Sequence, residues 1–121
     1  MFKPTVILDF DGVIHSYVSG WQGAGVIPDP PVAGIGDAIA NMRKKYRVVV
    51  VSSRCYRPGG IDAIRAWLER HGIVVDDVTG EKPPAKVIVD DRAITFDGDA
   101  AALQAKIDGF RPWTHYRQAK K

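Results

Sequence analysis

An α/β domain built on a parallel sheet with helices on both faces is the fold class this sequence predicts. Three observations carry it. The continuous apolar runs Val6-Ile7-Leu8 and Val48-Val49-Val50-Val51 read as buried strands, because a half-solvated strand would alternate, and Val87-Ile88-Val89 reads as a further strand. Segments with apolar residues at helical spacing lie between those runs and after the last, and strand–helix alternation implies parallel strands joined by right-handed crossovers. The runs also end on polar residues suited to a sheet rim: Asp9, Ser52 and Asp90-Asp91. A length of 121 residues suits one domain, 1–121, with 111–121 as a basic tail.

The first strand covers 5–10 and stops on Asp9-Phe10-Asp11, where Gly12 lets the chain turn at once. Residues 15–31 are rich in Gly, Ser and Pro and hold Tyr17 and Trp21. They read as a long loop beside Asp11, with room for a short hairpin; the aromatic pair favours a functional loop over a disordered one. Pro30-Pro31 opens a helix in which Ile35, Ile39, Met42 and Tyr46 share a face, and Arg43-Lys44-Lys45 suit its C-terminus. The four valines form the second strand, ending at Ser52-Ser53-Arg54.

Pro58-Gly59-Gly60 breaks the chain. Ile61, Ile64, Trp67 and Leu68 mark a second helix, closed by Gly72. A third strand is expected over 73–78, interrupted by Asp76-Asp77, which read as solvated loop acids. Val87-Ile88-Val89 is the fourth strand, and 94–96 a short fifth. Asp97-Gly98 then turns, Asp99 caps, and Leu103, Ile107 and Phe110 line a final helix.

Apolar residues at 45% support a real core, and 26% charged residues argue against disorder. A net charge of +3 permits an anionic substrate without requiring nucleic acid. The single cysteine, Cys55, allows no internal disulfide and points to a reducing, intracellular setting. With no signal-peptide pattern and no apolar run long enough to span a bilayer, the expectation is a cytoplasmic protein with no membrane partner. Cys55 has no histidine nearby in sequence and is not read as a nucleophile.

The topology implied above places the ends of strands one, two and four on one rim, so Asp9, Asp11, Ser52, Asp90 and Asp91 converge. Two ionised carboxylates about 4 Å apart repel by roughly 4 kcal/mol at an effective dielectric near 20. Several on one rim require either protonation or a cation. Oxygen-only ligands favour Mg²⁺, and no Cys/His cluster exists for zinc. Ser52 offers a hydroxyl and rim amides. Lys82, in Gly80-Glu81-Lys82-Pro83-Pro84, is a point charge able to neutralise a phosphoryl oxygen; Lys86 competes for that role but reads toward solvent. Arg54 and Arg57 either contact a substrate phosphate or sugar or lie on the surface. Two acid pairs, a hydroxyl and a lysine make a set suited to phosphoryl transfer.

At these residues the chain resembles the haloacid dehalogenase (HAD) superfamily of phosphohydrolases. Asp9-Phe10-Asp11-Gly12-Val13 is similar to its first motif, the strand ending at Ser52 to its second, Lys82 to its third, and Val87-Ile88-Val89-Asp90-Asp91 to its fourth. The four stand in the family's order across nearly the whole chain. The resemblance implies a Rossmann-like, HAD-like fold. It implies that Asp9 is a nucleophile forming an aspartyl-phosphate, and that Asp11 protonates the leaving oxygen and later activates water. It also implies that Asp9, the backbone carbonyl of Asp11, and Asp90 hold Mg²⁺, with Asp91 a direct ligand or bound through water. It implies further that Ser52 and Lys82 grip the phosphoryl group; Arg54 is expected beside them as a phosphate contact from its place two residues after Ser52. The acid at position 11 favours a phosphatase over a dehalogenase.

The segments between motifs leave no room for an inserted cap domain. The chain is similar in this to short phage-encoded HAD-like hydrolases and, more distantly, to the phosphatase domain of polynucleotide kinases. The partner class implied is a phosphorylated substrate, a nucleotide or a nucleic-acid end. An EF-hand loop lacks its further acids here, and a receiver domain places the adjacent acid pair first, the reverse of this order. His15 and Tyr17 are expected to shape the pocket beside Asp11. In the tail, Trp113, His115, Tyr116, Arg117 and Lys120-Lys121 either help bind a polynucleotide or, for Trp113, pack on the body. The alternative to an enzyme is a regulatory protein that keeps the fold and binds metal and phosphate with little turnover.

Overall fold

The apolar runs pair as four strands, β1 (Thr5–Asp9), β2 (Arg47–Val51), β3 (Asp77–Thr79) and β4 (Val87–Val89). The computed structural model describes residues 2–114, and in it the strands form an all-parallel sheet in the order β3-β2-β1-β4. The polynucleotide reading of His115, Tyr116, Arg117, Lys120 and Lys121 lies outside the described residues. Register decides what shares the rim. Asp9 stands beside Val51, and Leu8 beside Val89, so Asp90 follows at the level of Asp9, with Ser52 and Asp91 one residue beyond it.

The β alternation sorts side chains onto two faces. Val6, Leu8, Phe10, Val48 and Val50 form one core with Ile39 of α1 (Ile35–Met42) and Ile64, Trp67 and Leu68 of α2 (Gly60–Arg70). Each such side chain contributes about 1.5–3 kcal/mol when fully buried. Trp67 meets Phe10 edge-on at 5.2 Å and donates its indole N–H to the carbonyl of Asp29. Ile7, Val49 and Val51 form a smaller cluster on the opposite face. The expectation of helices on both faces is met on the first face: the link 80–86 into β4 is not helical, and α3 (Leu103–Asp108) buries no residue and docks closely on no strand.

Four local expectations differ from the structure. The first helix starts at Ile35 rather than after Pro30-Pro31, because Gly34 takes a left-handed φ of 81° and resets the backbone, while Pro31 bridges to His15. β3 is three residues long. Just before it, Asp76 turns its carboxylate onto the Val48 N–H at 2.7 Å and onto Arg43 at 2.9 Å. Asp76 is exposed, as expected of a solvated acid, but also serves the fold, and Arg43 chiefly holds it below the usual carboxylate range. Residues 94–96 form no strand: the Asp90 carboxylate accepts the Arg92 N–H at 2.9 Å, a local turn that leads the chain off the sheet. Finally, Ser53–Tyr56 makes an unanticipated 3₁₀ turn, capped by the Ser52 hydroxyl accepting the Arg54 N–H at 3.2 Å.

Candidate active site

Asp9 ends β1, and Asp90 and Asp91 follow β4 directly. The sheet register brings one carboxylate oxygen of each within 4.8 Å of the others. Burial, then hydrogen bonding to Asp91 and the charges of Asp90 and Asp91, push the Asp9 carboxyl up to about 8. Burial also raises Asp91, whose Oδ1 is buried without a hydrogen-bond partner among the described residues. The backbone makes room for this acid: Gly12 has a φ of +87°, and a Cβ there would collide with the Asp91 carboxylate. A crowded, partly dehydrated oxygen cluster with one orphaned oxygen fits a hard divalent cation such as Mg²⁺, which takes carboxylate and water ligands.

The side chain of Asp11 takes no part in that cluster. It accepts two hydrogen bonds from Arg54, at 2.8 Å from Nε and 3.1 Å from a terminal nitrogen, and one at 2.8 Å from His15 Nδ1. The ring of His15 is fully buried, and its Nε2 accepts the Asp29 N–H at 3.1 Å. That bond places the imidazole proton on Nδ1, facing Asp11. Stacking on Phe10 and an edge contact with Trp67 hold the ring in place. Burial alone would raise Asp11, but the hydrogen bonds from His15 and Arg54 and the charge of Arg54 outweigh it and hold the carboxyl below its ordinary value. Asp11 is thus ionised, the state of a base rather than an acid.

Arg54 has a different task from the phosphate contact expected of it. Its side chain is 0% exposed. Besides Asp11, it donates to the carbonyls of Gly23, Ala24 and Val26. Each of its three nitrogens donates to a protein group, and it ties the 23–26 loop to the rim. Ser52 is at the rim as expected but buried, with its hydroxyl oxygen capping the 3₁₀ turn. Lys82 is exposed and makes no hydrogen bond or ion pair among the described residues. Its position in the 80–86 link leaves the ammonium group uncommitted.

A depression of about 280 Å³ opens over Asp11 and Asp91, walled by Tyr17, Trp21, Ser53 and Arg92 and closed at one side by Pro112 and Thr114. Tyr17 lines it as expected; His15 lies behind it and orients Asp11. Trp113 packs on the body, with its indole N–H donating to the Gly12 carbonyl at 2.6 Å. Sequence reasoning missed Ser53 and the C-terminal wall. The first could have been found from its place one residue past the rim; nothing local announces the second, because its partner lies at the other end of the chain. Among the described residues no helix is long and apolar enough to cross a membrane. Comparison with protein-family models, curated proteins and solved structures gives no match for this chain.

Proposed function

We propose that this chain is a Mg²⁺-dependent phosphomonoesterase of the haloacid-dehalogenase type, capless and Rossmann-like, acting through an aspartyl-phosphate on Asp9. The observation that carries the reading is the meeting of Asp9, Asp90 and Asp91 within 4.8 Å, with Asp9 pushed up to about 8 and an Asp91 oxygen unpartnered. That crowding is relieved by a cation. Asp9, Asp90 and Asp91 would hold Mg²⁺, joined by the Asp11 backbone carbonyl that the resemblance implies. The ion supplies charge stabilisation at the phosphoryl oxygens.

Asp9, once deprotonated, attacks phosphorus through a carboxylate oxygen, and the bond from phosphorus to the ester oxygen breaks. Water then attacks the acyl-phosphate, the bond from phosphorus to Asp9 breaks, and inorganic phosphate leaves. Arg54 and His15 hold Asp11 ionised, which suits it to accept the proton of that attacking water. The departing oxygen of the first step then takes its proton from solvent. Ser52 and Lys82 contact the transferring phosphoryl group, the lysine as a point charge. The substrate class is a nucleotide or a nucleic-acid terminal phosphate.

One observation favours a second reading. The buried Arg54–Asp11–His15 lock ties up the residue that the family uses as acid, and a protein that binds metal and phosphate with little turnover needs no acid. A screen of phosphate esters at saturating Mg²⁺ separates the two. The phosphatase reading predicts hydrolysis that a chelator abolishes; Mg²⁺ binding with no ester turned over selects the regulatory reading.

A further inference from the structure

A second depression, of about 620 Å³, adjoins the first and shares Trp21 and Ser53 with it. Its other walls are Tyr56, Arg57 and Pro58. The two form one groove running from the carboxylates past Ser53. We propose that Trp21, Tyr56 and Arg57 form a subsite for the body of the substrate, one that takes a planar base together with a second phosphate. The substrate class is then a nucleotide bearing a phosphate beyond the one cleaved, either free as a nucleoside bisphosphate or as the end of a strand. This rests on the phosphatase reading for the identity of the cleaved group, while the subsite itself stands on its own geometry.

Two large rings are held in place without being buried. Tyr56 is 71% exposed, yet its hydroxyl donates to the Gly80 carbonyl at 2.6 Å and its ring abuts Gly80. Trp21 is 48% exposed, yet the guanidinium of the buried Arg54 lies 4.8 Å from its ring centroid. Held aromatic rings with solvent-exposed surface give stacking area at little cost in side-chain entropy. Beside them the Arg57 guanidinium, its central carbon 5.6 Å from the Trp21 centroid, makes no hydrogen bond or ion pair among the described residues. A guanidinium with uncommitted donors beside a ring is the arrangement that takes a phosphate oxygen pair next to a stacked base. The carboxylate end of the groove repels anions unless a cation is bound; the Arg57 end attracts them. A ligand with two phosphates separated by a nucleoside fits that polarity.

The test uses Arg57→Gln, an exposed change, with Arg70→Gln on α2 as an unrelated cation control. Two substrates are compared with Mg²⁺ present: a nucleoside bisphosphate and para-nitrophenyl phosphate. The ratio of their kcat/KM values is expected to fall about tenfold in Arg57→Gln and to hold in Arg70→Gln. A ratio unchanged by Arg57→Gln overturns the subsite. A binding arm does not depend on turnover: Asp9→Asn protein is titrated with the bisphosphate and followed by tryptophan fluorescence, alone and with Arg57→Gln added. About a tenfold weaker Kd in the double variant supports the subsite even if no ester is hydrolysed, and equal Kd values refute it even if esters are hydrolysed. A short oligonucleotide with a terminal phosphate, titrated beside the bisphosphate, assigns the strand end if it binds tighter and the free nucleotide if it binds weaker.

Discussion

Arg54 grips Asp11 at two points, and the same guanidinium holds the carbonyls of Gly23, Ala24 and Val26. A cation so fully enclosed is stable because Asp11 and three carbonyls accept its hydrogen bonds and the Trp21 ring lies against it. The pair therefore does two jobs. It fixes the charge of the acid next to the proposed nucleophile, and it anchors the loop that carries Trp21.

Removing the cation leaves three carbonyls without this donor and Asp11 with His15 alone. Arg54→Met is expected to lower unfolding free energy by about 3 to 5 kcal/mol, read from urea melts, because one half of a buried pair is lost while the other remains. A cost below about 1 kcal/mol would show that the pair is solvated.

The pH dependence follows from Asp9. Its folded pKa, about 8, lies far above the usual carboxylate value of 3.8. Across that window the metal-free folded state keeps a proton that the unfolded chain releases. Stability therefore falls as pH rises from about 4 to about 8. Mg²⁺ competes with that proton, so its affinity rises over the same range. Thermal melts with and without Mg²⁺ at several pH values check both signs; a metal-free stability that climbs through this window contradicts the Asp9 assignment.

Gly12 is the hinge of the acid cluster. Gly12→Ala places a Cβ where the Asp91 carboxylate sits and forces a left-handed φ on alanine. Displacing Asp91 is expected to weaken Mg²⁺ binding by on the order of tenfold or more, measured by calorimetry. Wild-type affinity in Gly12→Ala would place the cation elsewhere.

Lys82 and Lys86 compete for the phosphate role from the same link. Lys82→Met is expected to lower kcat/KM on an aryl phosphate by about a hundredfold, and Lys86→Met to leave it within about twofold. The reverse pattern would exchange their assignments.

Much of the site was legible because it depends on strand order. Continuous apolar runs identified β1, β2 and β4, and parallel pairing then required Asp9, Asp90 and Asp91 to share a rim. The parts that were not legible depend on partners distant in sequence. Arg54, two residues past a rim serine, read as a substrate contact because nothing local shows that carbonyls at 23, 24 and 26 will enclose it. His15 read as a pocket residue; its burial comes from Phe10 and Trp67 closing on its ring. The third strand shrank because Asp76 serves Val48 and Arg43 by side chain. The missing fifth strand reflects an Asp90 turn that an apolar count over 94–96 does not register.

The central claim is that Asp9 is a nucleophile, and para-nitrophenyl phosphate hydrolysis with Mg²⁺ by wild type and Asp9→Asn tests it most directly. Wild type is expected to turn over and Asp9→Asn to fall to the uncatalysed rate while remaining folded. An Asp9→Asn protein that keeps the wild-type rate would contradict the account.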